Sequence, residues 1–221
     1  MTIAVIVFGA FMASMAGWLV KQSVNTQPWV ATGPGPDVEA PDVRAQHAMR
    51  LGLVVLIAVI ASLFGLFLSA YLMRMEYADW RPMPEPTLLW ANTGVLVLCS
   101  IAMQWAYFAG RRGQLQLEKL MLLAGGALSA LFIGGQYAVW QQLNASGYFL
   151  DADPASAFFF VLTGIHALHL IGGLVAWGRT VQRLWGGGDR VAVLLGVELC
   201  AVYWHFLLAV WVVLFAMLAS S

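Results

Sequence analysis

Six stretches of this chain are each long and apolar enough to cross a lipid bilayer: 3–20, 51–73, 88–109, 120–141, 157–177 and 191–219. A helix needs about 20 apolar residues to span the hydrocarbon core. Inside that core every backbone N–H and C=O must be satisfied within the protein, which leaves only helices and closed barrels. None of the six stretches alternates apolar and polar residues as barrel strands do. The sequence therefore predicts an all-α, polytopic membrane helix bundle with six transmembrane helices. Composition agrees, with 61% hydrophobic and 10% charged residues, against about 45–50% and 25% in soluble domains. The formal net charge is zero, which gives no reason to expect a nucleic-acid partner. Cys99 and Cys200 lie in separate spans and form no C-x-x-C, so they carry no redox or metal signal.

Three segments follow. Residues 1–24 hold an N-terminal transmembrane helix. Residues 25–49, rich in Gly-Pro pairs and acidic residues, read as a cytoplasmic linker without helix. Residues 50–221 form a five-helix core. The first span has Lys21 after it and no basic residue before it, the reverse of a cleaved signal, so it is read as a retained helix with its N-terminus outside. On that topology nine Lys and Arg residues fall on the inner side and two, Arg74 and Arg81, on the outer side. This positive-inside bias places both termini outside. The glycine pairs 125–126, 134–135 and 172–173 read as sites of close helix contact. Trp80, Trp90, Trp105, Trp140, Trp177 and Trp185 lie near span ends and read as interfacial anchors.

Ionisable side chains at membrane depth are expensive and generally mark function or buried partners. The last two spans carry four: His166, His169, Glu198 and His205. His166 and His169 share one helix face, and Glu198 and His205, two turns apart, share another. Counted inward from opposite faces of a core about 30 Å thick, at about 1.5 Å per residue, His169 falls level with Glu198 and His166 with His205. Three readings of this group are open: a bis-histidine haem site, a proton relay or metal site, and a buried hydrogen-bond network joining the helices. The network is the expectation, with no catalytic residue and no metal ligand set on this chain.

The same two spans read S-A-F-F-F-V-L-T-G-I-H-A-L-H and E-x4-Y-W-H-F-x4-W. This resembles the signature of subunit III of haem–copper terminal oxidases. The motif positions are Phe158, Phe159, Leu162, Thr163, Gly164, His166 and His169, then Glu198, Tyr203, Trp204, His205, Phe206 and Trp211. The resemblance covers roughly residues 50–219. It implies a non-catalytic accessory subunit of a proton-pumping, oxygen-reducing cytochrome c oxidase in the bacterial inner membrane. Such a subunit would stabilise the redox subunit, bind phospholipid and support proton uptake. The resemblance also implies contact with subunit I above all and with subunit II, haem and copper on those partners, and no redox cofactor here. Four histidines are themselves too few for a haem–copper binuclear centre. A quinol oxidase or nitric oxide reductase accessory subunit is the near alternative, and a free-standing b-type cytochrome the distant one. Two positions depart from the family pattern. Ile60 stands where many members carry a mid-membrane glutamate, and Leu208 where an aspartate often follows Y-W-H-F. One leading helix in place of two marks a divergent branch.

Overall fold

The computed structural model describes residues 41–80, 87–150 and 153–219. The predicted first helix at 3–20 and most of the linker lie outside these residues. The described part is all-helical: α1 Pro41–Arg74, α2 Leu88–Arg111, α3 Leu115–Ala145, α4 Pro154–Trp185 and α5 Arg190–Leu218. All five are long and apolar enough to cross a membrane. The second helix of the expected six thus begins at Pro41, inside the segment read as a loop. A proline is accommodated in the first turn, where its missing N–H has no intrahelical partner to lose. No glycine or further proline interrupts the chain between Asp42 and Leu51, so the helix runs on into the apolar stretch.

The chain divides within α1 into two units, 1–58 and 59–221. In the first unit, the described residues are the opening turns of α1. In the second, α2 packs on α3 and α5, and α4 packs on α3 and α5, which closes a ring of four helices. Phe64 and Tyr71 of α1 meet α4 through His166, His169 and Phe158. Ile60 of α1 is buried.

Each ring helix earns its place by a stripe. On α4 the buried residues include Ser156, Phe159, Thr163, His166, Leu170, Gly173, Thr180 and Leu184, with Ala155 and Leu162 beside them. Their steps of three, four and seven residues are those of one helix face. Local signals set its start: Asp153 caps the helix by accepting from the Ser156 N–H at 2.9 Å, with Pro154 next in line. Asp189 caps α5 the same way, accepting from the Ala192 N–H at 2.9 Å. Between these helices Gly187, at φ +70°, makes the left-handed turn that a side chain would strain.

Glycines let the ring close tightly. A Cβ on Gly126 would run into the Trp177 ring, and one on Gly173 would lie 2.8 Å from Tyr203. Gly125 and Gly135 are similarly crowded, by Met103 and Asn92. Gly134 and Gly172 face open space, so one glycine of each of those two pairs makes the contact. Trp177 differs from the anchor reading. Its indole N–H donates to the Leu122 carbonyl at 2.9 Å, tying α4 to α3. At the opposite end of the bundle, Arg74 holds both carboxylate oxygens of Asp79, one at 2.7 Å. That hydrogen bond keeps the exposed Asp79 carboxyl below its ordinary pKa.

Candidate functional site

Antiparallel neighbours meet at equal distances from the turn they share. For α4 and α5 that turn is 186–189, between Trp185 and Arg190. Glu198 is 8 residues along α5 from Arg190, and His169 is 16 residues back from Trp185. At 1.5 Å per residue they differ in level by about 12 Å, or two turns. The contacts agree. The Tyr203 hydroxyl donates to the His169 carbonyl at 3.1 Å. Thr180 Oγ1 lies 3.9 Å from Cys200 Sγ, and a Cβ on Gly196 would meet Thr180. Glu198 is therefore level with Trp177 rather than with His169.

The four ionisable residues occupy different surroundings. His166 is fully buried on the inner stripe of α4, its ring among Trp211 (centroids 5.2 Å apart), Phe132 (5.9 Å) and Phe64 (6.3 Å). Neither of its ring nitrogens has a hydrogen-bond partner among the described residues. His169 turns off that stripe. Its Nδ1 lies 2.8 Å from the Ile165 carbonyl, and its ring centroid 5.7 Å from that of Phe64. Glu198 is half-buried on α5. His205 is exposed and engages α2, with Nδ1 against Ser100 Oγ and Nε2 3.0 Å from Gln104 Oε1. The structure thus does not pair His166 with His205, nor bring His169 level with Glu198. Among the described residues no three His, Cys, Asp or Glu side chains converge as metal ligands would.

The other motif residues carry the packing. Thr163 bonds back to the Phe159 carbonyl at 2.7 Å and accepts from the Trp140 indole at 3.1 Å. A Cβ on Gly164 would lie 3.6 Å from the Trp140 ring. Trp204 donates to Ser129 Oγ at 2.7 Å, and Ser129 bonds to the Gly125 carbonyl at 2.9 Å and lies 3.0 Å from Cys99 Sγ. This is a buried polar knot joining α2, α3 and α5. Trp211 donates to Thr93 Oγ1 at 2.9 Å and packs edge-on to Phe132. Tyr203 and Phe206 are buried beside them. The indoles of Trp140, Trp177, Trp204 and Trp211 thus each find a partner for their one polar atom while the ring fills space.

Sequence reasoning missed a second ionic site. Glu118, in the first turn of α3, is fully buried, and its Oε2 lies 2.7 Å from Arg190 Nη1, off the line of a hydrogen bond. Arg190 Nη2 donates to the Gly110 carbonyl at 2.6 Å. A Cβ on Gly110 would come 2.7 Å from Glu118 Oε1. One guanidinium therefore binds the end of α2, the start of α3 and the start of α5. Both charges lie beside turns and read as ordinary loop charges in sequence. Ser100 and Gln104 had a signal, being polar residues four apart within an apolar run.

Comparison with known proteins bears on this arrangement. The family profile described as cytochrome c oxidase subunit III matches residues 41–219. The chain is 30% identical over 185 residues to a cytochrome c oxidase subunit 3 of Thermostichus vulcanus, covering 81% of this chain and 88% of the relative. It is also 30% identical over 157 residues to a probable cytochrome c oxidase subunit 3 of Nocardia farcinica, covering 69% and 77%. A heme-copper oxidase subunit I+III of Aeropyrum pernix is 26% identical over 216 residues, covering 93% of this chain and 26% of that protein.

Proposed function

The chain belongs to the cytochrome c oxidase subunit III family, and from that premise we propose that it is the accessory subunit of an oxygen-reducing haem–copper oxidase. Its role is to stabilise the redox subunit, bind phospholipid and sustain proton uptake, with haem and copper held by partner subunits. The observation that carries this is the relative named heme-copper oxidase subunit I+III, in which almost all of this chain matches about a quarter of one longer polypeptide. A single polypeptide keeps its parts at contact distance, which favours subunit I as the main partner here, with subunit II beside it. His166, His169, Glu198 and His205 serve the packing and docking of the bundle on this reading rather than ligating a metal. An oxidase of quinol, or a nitric oxide reductase, is the second reading.

The test is purification of this chain by an affinity tag from its own membranes in mild detergent. The expected result is co-elution of a haem-bearing subunit, with no Soret absorbance left on this chain once it is dissociated. Haem remaining on the isolated chain would instead indicate a b-type cytochrome, and a dinuclear-copper partner would separate cytochrome c from quinol as donor.

On this reading the protein belongs to the bacterial inner membrane with both termini on the periplasmic side, an orientation supported by the nine-to-two distribution of basic residues. Cysteines introduced at Gly187 and Ser221 should react with impermeant maleimide from opposite faces of sealed membranes. Reaction of both from one face would sink this topology.

A further inference from the structure

The pairing of α2 with α5 has a clear register. Trp90 meets Phe215, Thr93 meets Trp211, Ser100 meets His205 and Gly110 meets Arg190. Ser100 and His205 therefore meet near the middle of both helices, about 16–22 Å from either end at 1.5 Å per residue. That is half-depth in a bilayer. Yet His205 is exposed, and Gln104 beside it is only half-buried. Two turns from Gln104 on α2, and two turns from His205 on α5, lie Val97 and Val212, both exposed. The four residues share one side of the α2–α5 pair.

The hydrogen-bond inventory gives this side a polarity. Gln104 Oε1 can only accept, so His205 Nε2 carries the proton and Nδ1 accepts from the Ser100 hydroxyl. The chain reads Ser100 to His205 to Gln104, each donating to the next. It ends on the Gln104 amide nitrogen, whose N–H groups have no partner among the described residues. Hydrocarbon offers such donors nothing, and polar side chains at this depth generally face protein or a water-filled cavity.

We infer that the α2–α5 face bearing Ser100, Gln104 and His205 is the surface that docks on the redox subunit, against a transmembrane helix presenting a hydrogen-bond acceptor to Gln104. This rests on the reading of the chain as an oxidase subunit. Small neighbours flank the network, with Ala209 and Ala216 on the same side of α5, and small residues let helices approach closely in lipid.

The experiment uses the whole complex in native membranes. A photo-crosslinking benzoylphenylalanine is placed singly at Val97, Val212, Leu131 and Leu168, all four exposed, the last two on α3 and α4. Irradiation should join this chain to the redox subunit from Val97 and Val212 and not from Leu131 or Leu168. In parallel, Gln104→Leu keeps the volume and removes the donors. It should lower retention of the chain on the redox subunit in detergent washes by about three- to tenfold, the range of a membrane hydrogen bond, with protease resistance of the bundle unchanged. Lipid adducts alone at Val97 and Val212, equal adducts from all four positions, or unaltered retention of the Gln104→Leu variant would overturn the assignment. Failure of the unaltered chain to co-purify with any haem-bearing subunit would overturn the oxidase reading itself.

Discussion

Replacing Arg190 by alanine is expected to destabilise the helix bundle by about 3 kcal/mol, the lower end of the range for breaking a buried ion pair. The lower end applies because the Arg190 side chain is 41% exposed whereas that of Glu118 is fully covered. Loss of the guanidinium strands the Glu118 carboxylate and also the Gly110 carbonyl, which accepts from Nη2. Arg190→Lys should recover only part of the loss, since one ammonium cannot reproduce a fork reaching two helices at once. The decisive comparison is with Glu118→Gln. In the background of Arg190→Ala, neutralising Glu118 should restore stability, because the cost lies in the unpaired charge. Thermal unfolding of the detergent-solubilised protein measures all four variants. Strictly additive losses would show that the two side chains do not act as a pair.

A comparable loss is expected from Gly126→Val. Its new carbon atoms have nowhere to go but the Trp177 ring, and moving that ring breaks the indole bond to the Leu122 carbonyl. Overpacking typically costs about 1–3 kcal/mol, and the lost bond adds to it. Gly134→Val, two turns along the same helix, is the control. Nothing lies within 4 Å of a Cβ there, so it should stay within about 0.5 kcal/mol of the parent. Equal effects at the two glycines would mean that helix propensity, not contact, sets the response.

These two sites mark the limits of legibility. The helices themselves were written in hydropathy, because a bilayer of fixed thickness and a backbone that must bond internally leave few alternatives. The spans at 51–73, 88–109, 120–141 and 157–177 fall within observed helices, and 191–219 overruns the end of α5 at Leu218 by one residue. The glycine pairs signalled close packing, yet period and composition alone could not say that both Gly125 and Gly126 make contact but only Gly135 and Gly173 of the other pairs.

Pairing of polar residues was harder. Depths counted inward across a core of about 30 Å treat helix ends as membrane boundaries. Here α4 has 32 residues and α5 has 29, or about 48 and 44 Å at 1.5 Å per residue. The overhang moves the count by two turns and makes Glu198 seem level with His169. Counting both helices from their shared turn at 186–189 removes the error, and that turn was visible in sequence.

What sequence alone determined is the set of five described helices and the family to which they belong, since each follows from residues near one another along the chain. What only the tertiary structure decided is azimuth. It turned His205 toward Ser100 and Gln104 on α2, enclosed His166 among Phe64, Phe132 and Trp211, and brought Arg190 to Glu118. Each of these contacts depends on how far a helix is rotated about its own axis. In lipid that rotation is set by steric fit and hydrogen bonds between helices, which join residues far apart along the chain.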